Sequence, residues 1–289
     1  MHLPTPADHA ARIKGILQSV QLLPDEAKSP LLHYQRTVAD IRGSLGYVER
    51  LVAERDRYRA VVDRHMGRLR GMALVNLVET FERFLKEVAA ECVDRLAELV
   101  VDDRFNEFPV HGATLASHFG SGSAGKALCE SSIWLNCKEI NDRFRKLLSD
   151  PFQPGTFYVF PKDSQQPLDQ TWRYDLVSLI WQIRHTSVHN VGVITRSDAI
   201  KLRVLSKTNV AAPRVLVPTK VDIQWLKAFL DDTAEVCNTR IGERLATLLT
   251  TIHEDSGGLF QPQAMANSLA TAFRLPLVVA GATGLVPVD

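Results

Sequence analysis

Apolar and polar residues alternate with a helical period along much of the chain. No proline occurs between Leu31 and Val101, and apolar positions recur there at steps of three and four residues. This period predicts a long helix or a helical hairpin. Polar residues interrupt the seam, so a regular two-stranded coiled coil is not expected. The seam positions are Val48, Leu51, Arg55, Tyr58, Val62, His65, Leu69 and Met72.

Further helical patterns follow, separated by segments rich in glycine, serine or proline. They cover Met72–Leu99, with Leu74, Leu77, Phe81, Phe84, Leu85 and Val88 inward, then Ile133–Leu147, Tyr174 to about Val191, and Val221–Ile252 with Asp222 as a cap. Between the last two, Ile200–Val217 alternates weakly and leaves room for a short β-hairpin of residues 201–205 and 214–218. We therefore predict a mainly α fold, a helical bundle with a long N-terminal helical arm. The predicted parts are an N-terminal segment and arm (1–66), a helical domain (67–252) and a C-terminal tail (253–289).

Composition limits the classes of function. Of the 289 residues 45% are apolar, which is enough for a sizeable core, and the formal charge is +1. A dedicated duplex-DNA binder is usually far more basic, so any contact with nucleic acid must be local. The four cysteines form no CxxC pair and are expected to be buried thiols. No apolar stretch reaches the length of a membrane span, so we expect a soluble, cytoplasmic protein without a membrane partner.

The segment Ile183–Asn190 carries the candidate chemistry. Arg184 and His189 stand five residues apart near the end of an apolar helix, which separates them by roughly 140° around the axis and about 7.5 Å along it. Histidine moves protons near neutral pH, and a guanidinium binds phosphate through a fork of donors. RNA supplies its own nucleophile, the 2′-OH beside the phosphate, so its cleavage requires no metal and no cofactor.

The order of residues in this segment resembles a known family. An arginine, a polar residue, spacers and then Val-His-Asn at a helix end resemble the Arg-x(4–6)-His motif of HEPN proteins. The stretch Leu74–Leu85 is similar to the first long helix of that fold, and Asn190–Asp198 with the final helix is similar in arrangement to family members. The resemblance covers about residues 67–252 and implies a HEPN-like helical bundle.

The resemblance also implies a function. HEPN nucleases are dimers that join two copies of the motif and cleave RNA without metal, leaving a cyclic phosphate. Arg184 would then hold the phosphate and His189 would transfer protons. His185 would be a second catalytic or an orienting group, Asn190 would tie down the helix end, and Glu82 would support Arg184. A toxin or phage-defence endoribonuclease is the implied class, with an antitoxin or regulatory protein as a further partner.

A one-sided basic segment follows the motif. Between residues 196 and 220 the cations outnumber the acids; they are Arg196, Lys201, Arg203, Lys207, Arg214 and Lys220 against Asp198. We expect this segment, and Arg196, Lys201 and Arg203 in particular, to bind the phosphates of RNA.

Other interpretations of the same residues stay open. Arg184 and His189 also fit an ion pair or a cap at a helix C-terminus, in which case the protein is a non-catalytic scaffold for dimerisation or partner binding. His185 and His189 have the i, i+4 spacing of a zinc pair, but no third ligand is evident nearby and Thr186 replaces the glutamate of HExxH. Gly120–Lys126 fits GxxxxGK, yet Ala127 lacks the hydroxyl that binds Mg²⁺, so a loop is predicted.

Overall fold

Helices form most of the described part of the computed structural model, as the apolar period predicts. It describes residues 29–53, 59–100, 103–106, 108, 123–130, 134, 136–149, 157–161, 168–281 and 284–287. The elements in chain order are α1 (Pro30–Ala53), α2 (Arg59–Ala97), a 3₁₀ turn (Asp103–Phe105), α3 (Ala124–Glu130), α4 (Cys137–Leu147), α5 (Leu168–His189), β1 (Val193–Ile194), α6 (Arg196–Ser206), β2 (Arg214–Val215), α7 (Lys220–Asp255), α8 (Pro262–Phe273), β3 (Leu277–Ala280) and β4 (Gly284–Pro287). The mainly α prediction is confirmed.

Helices α1 and α2 form the helical hairpin that the long proline-free segment predicts. Glu49 on α1 accepts a hydrogen bond of 3.0 Å from Arg70 Nε on α2. The predicted seam is not a packed interface, because Leu51, Leu69 and Met72 are 50%, 36% and 63% exposed. Arg55 and Tyr58 lie outside the described residues. The α1–α2 hairpin packs on the rest of the bundle through residues outside the predicted seam, and these residues lie on a different face of each helix from the seam.

The centre of the core is the predicted apolar face of α2. Its inward positions are buried as expected, and they are Leu74, Leu77, Phe81, Phe84, Leu85 and Val88. Tyr34 of α1 packs on them, with ring centroids 5.6 Å from Phe84 and 6.3 Å from Phe81. Trp181 of α5 closes the cluster at 6.4 Å from Phe81. The start of the predicted arm is therefore part of the core, and the boundary predicted at 66/67 falls inside α2.

The second half of the GxxxxGK segment belongs to helix α3, which begins at Ala124, whereas Gly120–Gly122 lie outside the described residues. Asp94 of α2 accepts hydrogen bonds from Ser123 Oγ (2.8 Å) and from the backbone N–H of Gly125 (2.7 Å), which fixes the start of α3. A Cβ on Gly125 would lie 2.2 Å from the carbonyl oxygen of Ala90. Glycine is thus required here because the backbones of α2 and α3 are in direct contact.

Helix α7 is the second long core helix, and its first turn carries a capping box. Thr219 is the N-cap, and the predicted cap Asp222 occupies the third helical position, where it accepts from the backbone N–H of Thr219 at 2.7 Å. The predicted tail continues as α8 and the β3–β4 hairpin, and its apolar residues Ala266, Leu269, Phe273 and Leu285 join the core. These four residues of the predicted tail thus pack in the same core as α2 and α7.

The predicted hairpin within Ile200–Val217 is wrong in its first strand. Residues 196–206 form helix α6, and only Val193–Ile194 and Arg214–Val215 pair as strands. The helix forms because Thr195 and Asp198 make a capping box at its start. Weak alternation in this segment reflects exposed apolar residues, since Ile200 and Val204 are 54% and 71% exposed.

Two further expectations concern thiols and membranes. The four cysteines are free and buried, and burial raises the pKa of the Cys129, Cys137 and Cys237 thiols to about 12. They are therefore inert thiols in the sense predicted.

Within the described ranges, no helix combines the length and the apolar character that crossing a bilayer requires.

Candidate active site

The candidate motif lies where α5 ends. His189 is the last residue of the helix, and the carbonyl of Thr186 accepts from the N–H groups of Asn190 (3.1 Å) and Gly192 (3.3 Å). The chain reverses through Val191 (φ 50°) and Gly192 (φ 78°), both left-handed. Glycine adopts this conformation freely, whereas the β-branched Val191 does so under strain. The helix end therefore has one defined conformation, with His185 and His189 exposed on its surface.

A buried carboxylate holds this helix end against α6. Asp198 Oδ2 accepts from Asn190 Nδ2 (2.8 Å), from the hydroxyl of Thr195 (2.7 Å) and from the backbone N–H of Thr195 (3.1 Å). Its other oxygen accepts from Gln182 Nε2 at 3.3 Å. Asn190 thus ties down the helix end, as the resemblance implies, and Asp198 is the group to which it is tied.

The environment of Asp198 favours its charged form. Burial alone would raise the pKa of this carboxyl, but hydrogen bonds from Thr195, Thr186 and Asn190 outweigh burial and hold the pKa below the ordinary aspartate value. Asp198 is therefore an anion at neutral pH, and it holds α5 and α6 together through charge-assisted hydrogen bonds.

Arg184 points toward α2. Its Nη2 donates to Glu79 Oε1 at 2.7 Å, and the arginine side chain is 14% exposed. The supporting carboxylate is therefore Glu79 and not the predicted Glu82, which pairs with Lys86 at 3.1 Å. The two glutamates lie three residues apart on α2, so the prediction had the right helix and nearly the right face. The register between α2 and α5 decides which glutamate meets Arg184.

A shallow cavity of about 320 Å³ lies beside Arg184. Arg184 and His185 line it together with Trp181 and Gln182 of α5, and Asn136 and Cys137 close it from the N-terminus of α4. The N-terminal end of α4 adds a partial positive charge to that of the guanidinium. The cavity is therefore suited to an anion.

His185 connects the cavity to His189. The two imidazole rings are tilted toward each other with centroids 4.5 Å apart. Because α5 is continuous to His189, Arg184 and His189 keep the angular separation that their spacing predicts, and His189 does not line the cavity. The structure thus brings together Arg184 with His185, and His185 with His189.

The three basic residues predicted to bind RNA lie on α6. Arg196, Lys201 and Arg203 are all exposed. Arg196 and Arg203 are seven residues apart, so they share one face of the helix. Asp198 lies on the opposite, buried side, which joins this basic helix directly to the end of α5.

Exposed valines surround the end of α5. Val193 and Val215 face each other in the short β1–β2 ladder and are 38% and 63% exposed. The same surface includes Val188 and Val191 at the end of α5. Apolar side chains are therefore exposed close to the candidate site.

A metal site has no counterpart in the part of the chain described. His185 and His189 are adjacent, but no group of three His, Cys, Asp or Glu side chains among the described residues is placed to hold a metal ion. Among the described residues, the zinc interpretation therefore has only the two histidines, whereas a zinc site needs three or four protein ligands.

Sequence reasoning missed three participants, which are Glu79, Asp198 and the start of α4. Only Asp198 has a local signal, because Thr195-Arg-Ser-Asp198 is the pattern of a capping box. Glu79 and Asn136 depend on how helices pack, and no spacing along the chain reports that packing.

Comparison with known proteins adds no relative. No family model, no curated protein and no solved structure matches the chain. The resemblance to HEPN proteins therefore rests on the Arg184–Asn190 motif and its surroundings.

Proposed function

We propose that the protein is a metal-independent endoribonuclease of HEPN type. The observation that carries the proposal is the grouping at the end of α5. Arg184 and His185 line one cavity, and the His185 ring lies 4.5 Å from that of His189. A fixed cation near one imidazole, which contacts a second imidazole, supplies the kinds of group that phosphodiester transesterification uses. A toxin or phage-defence effector is the biological class that fits such an activity.

In the proposed reaction, Arg184 binds a non-bridging oxygen of the scissile phosphate. One imidazole removes the proton of the 2′-OH, whose oxygen attacks phosphorus and displaces the 5′-oxygen of the next nucleotide. A second imidazole protonates that leaving group. The products are a 2′,3′-cyclic phosphate and a 5′-OH end, and no metal takes part.

The separation of Arg184 and His189 around α5 favours a site shared by two subunits. One subunit presents Arg184 in a cavity and His189 outside it. The exposed valines around the helix end provide an apolar surface for a second copy. In such a homodimer, His189 from one subunit approaches Arg184 of the other, and the basic face of α6 extends the contact with RNA.

The scaffold alternative is favoured by one specific observation. Arg184 already has a carboxylate partner in Glu79, as expected for a residue that joins α2 to α5 rather than binding substrate. On this interpretation the same exposed valines form a dimerisation or partner surface without catalysis.

Cleavage of total RNA and tRNA by the purified protein in EDTA tests the proposal. Wild type is compared with His189→Ala, His185→Ala and Arg184→Ala. We expect His189→Ala to lower the rate by about 10²–10⁴-fold, the usual contribution of a proton-transfer residue. Arg184→Ala should lower the rate comparably, through lost charge stabilisation. End-group analysis should find a cyclic phosphate.

His65→Ala and Arg64→Ala are the matched controls, since both residues are exposed on α2. They should cleave at the wild-type rate. Equal activity of wild type and His189→Ala would show a contaminating nuclease. An inactive wild type that light scattering shows to be a dimer would favour the scaffold, and an active monomer would refute the shared site.

A further inference from the structure

A cleft between α1 and α7 has a chemistry that the proposed nuclease does not use. Two adjoining cavities of about 360 and 640 Å³ lie along α1 and share Arg42, Gly46 and Arg50 of α1 and Lys227 of α7. Volumes of this size match small-molecule sites. Leu77, on the α2 face turned toward α1 and α7, lines the smaller cavity, whereas Arg184 lines neither.

The smaller cavity is basic. Among the described residues, its charged lining consists of four cations, Arg42, Arg50, Lys220 and Lys227, and one carboxylate, Glu49. Glu49 is already bound to Arg70 at 3.0 Å and to Lys220 at 3.6 Å. Cations therefore outnumber carboxylates in the described lining of this cavity, and the excess persists when Asp231 and Glu235 of the larger cavity are included.

Arg42 and Arg50 carry that excess. Lys227 is paired with Asp231, which also accepts from the hydroxyl of Tyr34. Arg42 and Arg50 are exposed, and no carboxylate among the described residues pairs with either one. Two guanidiniums at the rim of one cavity, neither of them paired with a carboxylate of the described residues, provide forked donors for a phosphate group.

The floor of the same cavity is apolar. Ile41 and Leu45 of α1, Leu77 of α2 and Ile223 of α7 form it, and the amide of Gln224 adds one donor and one acceptor. A ligand that satisfies both parts has a phosphate at one end and a flat or apolar body at the other.

A glycine lies where the two cavities adjoin. Gly46 lines both cavities, and a Cβ placed on it meets no atom within 4 Å. No close contact therefore requires glycine, although glycine in a helix interior is unfavourable relative to alanine. Its effect here is to leave space between α1 and α7.

We propose that this cleft binds a small phosphate ester of nucleoside size, with the phosphate on Arg42 and Arg50 and the body on the apolar floor. A nucleoside phosphate is the class we assign. The site is separate from the Arg184–His189 motif, so the proposal does not depend on nuclease activity.

Isothermal titration of the full chain with AMP, ATP, inorganic phosphate and adenosine tests the proposal. We expect AMP and ATP to bind, phosphate to bind more weakly and adenosine not to bind at millimolar concentration. The double variant Arg42→Ala/Arg50→Ala should weaken nucleotide binding by about 10-fold or more, because each charge-assisted hydrogen bond is worth that factor. Arg36→Ala, an exposed arginine of α1 outside the cleft, is the matched control.

Gly46→Leu fills the cleft without removing a charge. It should abolish binding while leaving the melting temperature unchanged or higher, since leucine favours the helix. Absence of nucleotide binding to wild type would overturn the proposal, as would binding that neither variant changes. Tighter binding of dodecyl phosphate than of AMP would overturn the nucleoside assignment. Binding of an RNA oligonucleotide, but of no mononucleotide, would overturn the small-ligand assignment.

Discussion

The buried face of α2 and the exposed end of α5 are held in place by different forces. Around Phe84, apolar rings and aliphatic side chains pack against each other, and these contacts are nonpolar and have no preferred direction. Around Asn190, the Asp198 carboxylate accepts four directed hydrogen bonds, which come from Gln182, Asn190 and Thr195. Apolar packing tolerates small errors of geometry, whereas directed hydrogen bonds do not. The first region determines the fold, and the second fixes the position of the candidate chemistry.

The largest effect is expected in the apolar region. Phe84→Ala leaves a cavity beside Tyr34 and Phe81, and it should lower the free energy of unfolding by about 3–5 kcal/mol in urea titrations. Met72→Ala on the same helix is the control, because that side chain is 63% exposed and should change stability by less than about 0.5 kcal/mol. A loss under about 1 kcal/mol for Phe84→Ala would show that the α2 face is not the centre of the core.

A smaller effect with a distinct pH dependence is expected from Asp198→Asn. At neutral pH the variant should lose about 1–3 kcal/mol, since buried donors lose their anionic acceptor. The pKa of Asp198 is lowered in the folded protein, so its contribution is complete above the ordinary aspartate pKa of about 3.9 and is lost as pH falls toward the folded value.

Urea titrations of wild type and Asp198→Asn from neutral pH downward measure this dependence. The difference between the two proteins should be constant near neutrality and should shrink under acidic conditions. A difference that grows as the pH falls would contradict a stabilising anion at this position.

Capping gives the next effect in size. Thr219→Ala removes the hydroxyl that accepts from Asp222 N–H at the start of α7, and it should cost about 1 kcal/mol. Thr247→Ala, in the interior of the same helix, removes a hydroxyl that donates to the carbonyl of Glu243 in the preceding turn, and it should be nearly neutral. Equal losses for the two variants would mean that the cap adds nothing specific.

The smallest effect is expected at the ion pair. Glu79→Gln removes the partner of Arg184, but Glu79 is 45% exposed, so the change in unfolding free energy should stay below about 1 kcal/mol. Glu82→Gln, which affects the pair with Lys86 instead, is the control in urea titrations. A loss of several kcal/mol on Glu79→Gln would make Arg184 a structural residue and would favour the scaffold alternative.

The sequence predicted the parts of the fold that depend on a long apolar period. The inward face of α2 is confirmed position by position, and the start of α7 lies within one residue of the predicted one. The sequence did not predict helix α6 because Ile200 and Val204 are apolar but exposed. With these two residues included, the apolar positions alternate weakly and do not follow a helical period. The capping pattern at Thr195 and Asp198 was the better indicator.

The candidate site was predicted in part for a similar reason. Arg184, His185 and His189 belong to one segment, so their spacing along α5 was readable from the sequence. Glu79 is 105 residues away from Arg184, and only the packing of α2 on α5 selects it over Glu82. Contacts between helices depend on axial register, and an apolar period defines a face without defining that register.

Asp198 has a mechanical consequence beyond its effect on stability. The same carboxylate bonds Asn190, one residue after His189, and begins the helix that carries Arg196 and Arg203. The candidate catalytic residue His189 and the exposed arginines of α6 are thereby held close together through one carboxylate. If the protein binds RNA as proposed, an RNA strand on α6 would lie at a fixed distance from His189. That distance would determine which phosphodiester linkage of the strand reaches His189.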